Sequence, residues 1–403
     1  MGTGGGSLES LRALNRLRVV DELRRRGEAS RAVIAHGTGL SRSTVSSLVA
    51  DLQAEGLVVE RGASDQGDAL PGRPPVLLAL DPAAGAVLGI DFGHRHVRVA
   101  VSDLSRTVLA EGMRAHDVDH DAAGALDDAA ALVEQVLAEA EVSADRVIGV
   151  GMGLPGPIDH DRGALRLSSI LPAWADLDAA AELERRIGLP VEVENDANLG
   201  ALAEVTMGAG RNARHAVYLR VSSGIGAGVI IDGRLHRGAR GTAGEIGHVL
   251  VDEAGAICRC GNRGCLETVA AGPALVELLQ RSRGEELTVG EIIELAQRGD
   301  AGCARAIADA GRATGRAVAA LCNLLNPETV IVGGDVGMAG ELFLEPMRAA
   351  IERYAIAPAV ADVSVVAGVL GERAELLGAL ALAIAQSEHL AARIAPSPGV
   401  VAG

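Results

Sequence analysis

Three cysteines stand close together, Cys258, Cys260 and Cys265, and His248 lies ten residues before the first of them. Cys-x-Cys-x4-Cys plus one histidine is a complete Cys3His set. It suits a closed tetrahedral zinc site of the structural kind, with no position left for an activated water. Gly261 and Gly264 lie between the last two cysteines and let the backbone turn tightly enough for three thiolates to converge. A disulfide scheme fits less well: three clustered cysteines leave one over, and no export signal is present. Zinc is the expected metal, with His248, Cys258, Cys260 and Cys265 as its ligands.

Gly244-Glu245-Ile246-Gly247-His248, followed by Cys258-Arg259-Cys260-Gly261-Asn262-Arg263-Gly264-Cys265-Leu266-Glu267, resembles the signature of the ROK family. That family contains sugar kinases and sugar-responsive transcription regulators. The resemblance implies an α/β fold: a two-lobed actin-like (ribonuclease H-like) sugar kinase fold with zinc beside the sugar site. It implies that His248 both ligates zinc and touches the sugar, and that Glu245 and Glu267 accept hydrogen bonds from sugar hydroxyls. Glu194-Asn195-Asp196-Ala197-Asn198 is similar to the family's sugar-binding and catalytic motif. In the kinases its aspartate is the general base for the attacking hydroxyl. That role would fall on Asp196, with Asn195 beside it. Read from the residues alone, Asn-Asp before an alanine-rich helix is an ordinary N-cap.

The nucleotide loops depart from the kinase pattern. Asp91-x-Gly93 resembles the first phosphate-binding loop, but His94 and Arg95 stand where active kinases usually carry Gly-Thr. The missing glycine would let backbone N–H groups approach a triphosphate, and the missing threonine would supply a hydroxyl. Ser222-Ser223-Gly224-Ile225-Gly226-Ala227-Gly228 resembles the second loop, with Ser222 replacing a glycine. Asn326-Pro327 and Gly333-Gly334, with a strand between them and a helix after, are similar to the adenosine loop. A plain strand–turn–helix connection explains them equally well. ATP is not expected to bind.

These groups need elements to hold them. Strands are expected at Val87–Gly93, Val97–Ser102, Val108–Met113, Val147–Gly151, Val191–Glu194, Ala216–Val221 and Thr329–Val332. Helices are expected from Asp121 to Glu139, after Asn195, and from Glu372 to Ala392, the last returning to the first lobe. Gly153 to Pro157 reads as a rigid loop, and the tail from Ala395 as disordered. No tandem repeat is visible.

The first 80 residues read differently. Leu11, Leu14, Leu17, Val20 and Leu23 recur at helical spacing from Ser7 to Arg26, and Gly27 stops the pattern. Ser30 can cap a helix from Arg31 to His36, Gly37-Thr38-Gly39 a turn, and Ser41 can cap a helix from Arg42 to Glu55. That is a helix-turn-helix, whose second helix enters the major groove. Val45, Leu48, Val49 and Leu52 form its buried face. Ser41, Arg42, Ser43, Thr44 and Ser46, with Ser47, cluster where side chains reach bases and phosphates. Leu57–Glu60 and Val76–Leu80 read as the strands of a wing. Gly72-Arg73-Pro74 between them can place Arg73 in an A·T-rich minor groove, and ROK regulators are similar here.

All 37 basic residues are arginine, against 53 acidic ones, for a net charge of −16. Residues 1–80 carry 10 arginines against 9 acidic residues, and the remainder 27 against 44. An acidic body repels nucleic acid and anionic membrane, so DNA contact must come from the near-neutral head. No apolar run approaches a membrane span, and a cytoplasmic location is expected. The domains expected are a winged helix-turn-helix at 1–80 and a sugar-binding part at 81–403. Its lobes run over 81–200 plus 375–395, and over 201–374. The function expected is a sugar-responsive regulator, a repressor, taking operator DNA and a sugar or sugar phosphate as a homodimer or homotetramer. The alternative is an ATP-dependent hexose or amino-sugar kinase with a DNA-binding head. The damaged first loop favours the regulator, because phosphoryl transfer depends on positioning the γ-phosphate.

Overall fold

The computed structural model describes residues 6–61, 76–160, 162–165, 169–175, 177–211 and 213–394. Arg73, the expected wing tip around it and the tail from Ala395 lie outside them.

The head is built from its caps. α1 (Gly6–Arg26) is followed by β1 (Glu28–Ser30) and α2 (Arg31–Thr38), which Ser30 caps by accepting from Val33 N–H. α3 (Arg42–Ala54) is capped by Ser41, which accepts from Thr44 N–H. Val45, Leu48, Val49 and Leu52 of α3 pack with Val19, Leu23 and Ile34 in one core. β2 (Val58–Arg61) and β3 (Leu77–Leu80) pair antiparallel as the wing strands. Two details differ from expectation. Gly37 and Thr38 continue α2, where the Thr38 hydroxyl donates back to Ile34 O at 2.6 Å, so the turn begins at Gly39. β1 pairs with β3; a strand of three residues is too short to show an alternating pattern.

Beyond the head, two five-stranded sheets repeat one topology. In the first, β4 (Ala86–Phe92), β5 (His96–Asp103) and β6 (Val108–Ala115) form a meander. α4 (Ala122–Glu139) leads to β7 (Val147–Leu154), parallel to β4. A small hairpin, β8 (Ile158–Asp159) and β9 (Ala164–Leu165), and α5 (Ala179–Ile187) precede β10 (Val191–Asn195), parallel to β7. α6 (Asp196–Thr206) then crosses to the second sheet. There β11 (Ala216–Val221), β12 (Ile225–Ile231) and β13 (Arg234–Leu235) form the meander. After the cysteine loop come α7 (Glu267–Ala270), α8 (Gly272–Arg283), α9 (Val289–Gln297) and α10 (Ala301–Leu325). β14 (Thr329–Gly333), α11 (Glu341–Tyr354), α12 (Ala357–Val360), β15 (Ser364–Ala367) and α13 (Ala374–Ile394) complete the chain.

The strand orders, β10-β7-β4-β5-β6 and β13-β12-β11-β14-β15, place each meander on one side of a central strand and two parallel strands on the other. α4 and α5 cover the first sheet, where Phe92 meets Trp174 edge-on at 5.2 Å. α10 and α11 cover the second with Ile307, Phe343 and Met347. α13 packs on β4 and β7, α6 on β11 and β12, and the two helices pack against each other between the sheets.

Three loop expectations are corrected. Only Ser222–Gly224 is a turn, since Ile225 to Gly228 belong to β12. A Cβ on Gly228 would lie 2.4 Å from Ala201 Cβ, so this glycine admits α6 and has no phosphate to approach. Gly153 and Leu154 belong to β7, and Gly333 ends β14, followed by a 3-10 turn at Gly337–Ala339, with the next α-helix starting only at Glu341.

Candidate functional site

His248, on a short turn after β13, meets Cys258, Cys260 and Cys265, and the four ligand atoms all lie within 4.8 Å of one another. Cys258 Sγ is 3.6 Å from His248 Nδ1, and Cys260 Sγ is 3.7 Å from Cys265 Sγ. Ligands bound at about 2.3 Å around a tetrahedral ion sit about 3.8 Å apart, so the donors fit one metal ion. A Cβ on Gly264, where φ is +66°, would fall 1.6 Å from Asp252 O; only glycine closes this loop. Burial and the neighbouring Cys260 and Cys258 push the Cys265 thiol up to about 12. Three thiols this close are stable as thiolates only with a cation among them.

The imidazole faces two ways. His248 Nδ1 points at the thiols, while Nε2 lies 3.8 Å from Glu245 Oε2. Burial, together with the charges of Asp196 and Glu267 and against that of Arg259, raises Glu245 to about 7. Asn195 and Asp196 reach the same pocket from the start of α6. Asn195 is indeed the N-cap: Oδ1 accepts from Asn198 N–H, and Nδ2 donates to Gly156 O at 2.9 Å. Glu194, fully buried behind them, accepts from Asn195 N–H, Asn198 Nδ2 and Arg237 Nε. Cap and site are therefore the same residues. All five expected sugar contacts, Asn195, Asp196, Glu245, His248 and Glu267, line one cavity.

Two arginines in that cavity were not expected there. Arg259 donates twice to Glu267, from Nε at 2.7 Å and Nη2 at 3.0 Å. The space left is about 40 Å³. A sugar needs several times that, since one water takes about 30 Å³ in the liquid. Arg220 reaches in from β11, with Nη1 3.4 Å from Asp196 Oδ2 and Nε donating to Glu375 Oε1 at 3.0 Å. An arginine within the buried strand Ala216–Val221 was the signal available in the sequence.

A larger cleft of about 470 Å³ adjoins the pocket, between the two phosphate-type loops. Several of its polar groups are paired within the protein. His96 Nε2 donates to Asp91 Oδ2 at 3.1 Å, His94 Nδ1 to Asp119 Oδ1 at 2.7 Å, and Ser222 Oγ to Asp335 Oδ2 at 2.5 Å. His94 lines both cavities, where a kinase would offer bare backbone.

On the head, Arg42, Ser43, Ser46 and Ser47 are exposed along the outer face of α3. Ser41 and Thr44 are engaged in the cap: Ser41 Oγ lies 2.9 Å from Ser43 Oγ and 2.8 Å from Thr44 Oγ1. Arg12 pairs with Asp51 and Arg16 with Glu55, tying α1 to α3.

Comparison with known proteins agrees with this division. The profile described as ROK family matches residues 87–386, and one described as MarR family matches residues 13–68. The xylose repressor of Caldicellulosiruptor bescii is 32% identical over 392 residues, covering 94% of this chain and 97% of that protein. The glucokinase of Thermotoga maritima is 38% identical over 248 residues, or 58% of this chain and 78% of that enzyme. A crystal structure described as a ROK family transcriptional regulator, a homologue of the Escherichia coli Mlc protein, superposes with a TM-score of 0.78. It has 26% identity, with 94% of this chain and 97% of that one covered.

Proposed function

The chain belongs to the ROK family, and on that premise we propose that it is a sugar-responsive transcriptional regulator, a repressor. Residues 1–80 bind operator DNA, and residues 81–403 take a sugar or sugar phosphate between a lobe of about 81–200 plus 375–395 and a lobe of about 201–374. The observation that carries this reading is the union, in one chain, of an exposed recognition-helix face with a pocket whose Asp196 is tied to Arg220. Relatives named xylose repressor make D-xylose the first ligand to try.

Arg42, Ser43 and Ser46 are the groups placed to read bases and phosphates, with Ser41 and Thr44 fixing the helix start against the backbone. Arg73 serves the minor groove beside them. Symmetric half-sites follow from a homodimer or homotetramer. In the pocket, Asn195, Asp196, Glu245 and Glu267 accept from or donate to sugar hydroxyls. His248 Nε2, its partner nitrogen committed to metal, donates in a fixed direction. The metal we assign is zinc, held by His248, Cys258, Cys260 and Cys265, where it supplies a structural clamp with every position filled. The residues around it position the ligand and carry out no hydrolysis.

We propose further that kinase activity is lost and that ATP does not bind. His94 and His96 at the first loop are paired to Asp119 and Asp91, and Arg220 pairs with Asp196, the carboxylate a kinase would need as its base. No helix among the described residues is long and apolar enough to cross a membrane, in keeping with a cytoplasmic place beside DNA.

The test is calorimetry of the full chain against D-xylose, D-glucose, N-acetyl-D-glucosamine, their phosphates and ATP. Operator binding is measured with and without each, and a coupled assay follows ATP turnover. Binding of one sugar with a change in operator affinity and no turnover is expected. Sugar-dependent turnover abolished by Asp196→Asn would establish the kinase reading instead.

A further inference from the structure

Arg220 is a charge inside a strand whose neighbours Val217, Tyr218, Leu219 and Val221 are buried. Its guanidinium touches the first residue of one helix and the first turn of another. Nη1 faces Asp196 at the start of α6, and Nε donates to Glu375 at the start of α13. Tyr218 OH also donates to Glu375, at 3.4 Å. Burial works against the Arg220 charge, and Asp196 and Glu375 more than offset it, so the guanidinium holds its proton more firmly than in water.

The two helices it joins lead to the DNA-binding head. Met207, just beyond α6, and Leu376, Leu380 and Ile384 of α13 belong to one apolar cluster with Leu104 of the β5–β6 turn. Leu57, between α3 and β2, packs against this cluster and against the head's own core. Polar contacts flank it. Arg24 Nε donates to Leu104 O at 3.0 Å, and Arg211 Nη2, past the end of α6, donates to Arg25 O at 3.1 Å. α6 spans about 16 Å at 1.5 Å per residue, from Asp196 at the pocket toward Met207 and Arg211 beside the head. α13 has little room for gradual movement: a Cβ on Gly151 of β7 would lie 2.1 Å from Ala379 O. A helix seated this closely shifts as a body between discrete packings.

We propose that Arg220 is a positioning residue that couples the sugar site to the head, by sharing its guanidinium between Asp196 on α6 and Glu375 on α13. A sugar hydroxyl bonding to Asp196 competes with Arg220 for that carboxylate. The guanidinium then settles on Glu375, and the relative seating of α6 and α13 changes at the end that holds them together. The end of α6 and the apolar face of α13 carry the change to Leu57, after the recognition helix, and to Arg24 and Arg25 at the end of α1.

The inference rests on the regulator reading, and two measurements on full-length Glu375→Gln separate the two. The first is operator affinity with and without D-xylose, D-glucose and N-acetyl-D-glucosamine. Allosteric couplings run from about 5-fold to 150-fold, and Glu375→Gln should bring the wild-type ratio to within about twofold of unity. The Kd for the sugar itself should move less than about threefold, and Arg220→Lys, which keeps the charge and loses the fork, should fall between. An unchanged ratio overturns the proposal. The second needs no ligand: amide hydrogen exchange at Gly27 and Leu57, bonded to Leu23 O and Leu52 O inside the head. Coupling predicts exchange there about threefold faster in Glu375→Gln, whereas a local role speeds exchange only near the start of α13. If no sugar alters wild-type operator affinity, the regulator reading fails, and the exchange result still decides on the coupling.

Discussion

Arg259 closes a two-pronged ion pair on Glu267, Nε to Oε1 at 2.7 Å and Nη2 to Oε2 at 3.0 Å, in the lining of the cavity that also holds Asp196, Glu245 and His248. Both residues come from the cysteine loop and its exit. The pair lies against the turn after β11, where a Cβ on Gly224 would sit 2.6 Å from Arg259 Nη2. Glu267 is only 11% exposed in its side chain and has one further partner, the Ile225 N–H at 3.3 Å. A sugar hydroxyl bonding to this carboxylate would compete with a guanidinium already paired to it.

Removing that competitor should help the ligand. A hydrogen bond to a charged group contributes about 1.5–3 kcal/mol, reduced where one partner is solvated as Arg259 is. Arg259→Ala should therefore bind sugar about tenfold more tightly, each factor of ten being about 1.4 kcal/mol. Calorimetry reads this directly, with metal content measured alongside because Arg259 stands between two ligands. Weaker binding with the metal retained would mean that Arg259 is itself a ligand contact.

The metal loop gives a second prediction. If zinc fixes His248, Glu245 and Glu267 relative to one another, Cys260→Ser should lose zinc and sugar response together. The head has its own core of Leu23, Ile34, Leu52 and Leu78 and should still bind operator. Chelation of the wild type should give the same pattern. A zinc-free Cys260→Ser chain that answers sugar at wild-type concentrations would remove the metal from the positioning argument.

What could be read in advance follows the range of the interactions. Caps at Ser30, Ser41 and Asn195 are local, and each appears where the sequence places it. The Cys3His cluster was legible for the same reason: its cysteines span eight residues with two glycines among them. Arg220 and Glu375 lie 155 residues apart, and no local pattern links them. Gly226 and Gly228 looked like a phosphate loop because a glycine that admits a helix is the same letter as one that admits a phosphate. The repeat of sheet topology was invisible because it lies in strand order. Loop lengths and helices differ between the halves.

A third prediction concerns the head. Arg42 is exposed beside the N-terminus of α3, where helix dipole and guanidinium act together on a phosphate or a guanine edge. Arg42→Ala should cost about 1–3 kcal/mol of specific binding if it reads a base. If it holds only a phosphate, binding should weaken evenly across sequences and the salt slope should fall by about one. Arg73→Ala should relax preference for A·T-rich flanks. Footprinting over several salt concentrations separates these outcomes, and a footprint without dyad symmetry would count against a dimeric reader.

The last prediction is a pH dependence centred on Glu375. Arg220 and Tyr218 face it from β11, Asp196 from α6 and Asp91 from β4, with His96 pairing the last. Asp196 and Glu375 thus share one guanidinium, with the Asp91 charge close by. Burial, opposed by Arg220 and reinforced by the charges of Asp91 and Asp196, raises Glu375 from the ordinary 4.5 to about 7. The folded protein therefore holds this proton more tightly than the unfolded chain. A raised folded-state value means that stability from this group is full below about 4.5 and is lost as pH rises through about 7. Urea midpoints of the wild type should fall between about pH 5 and 7 more steeply than those of Glu375→Gln, which has no proton to lose there. Other titrating groups contribute alike to both proteins, so the difference between the curves isolates Glu375. Parallel curves would mean that Glu375 is ionised throughout this range, with Arg220 closer to it than to Asp196 in every state.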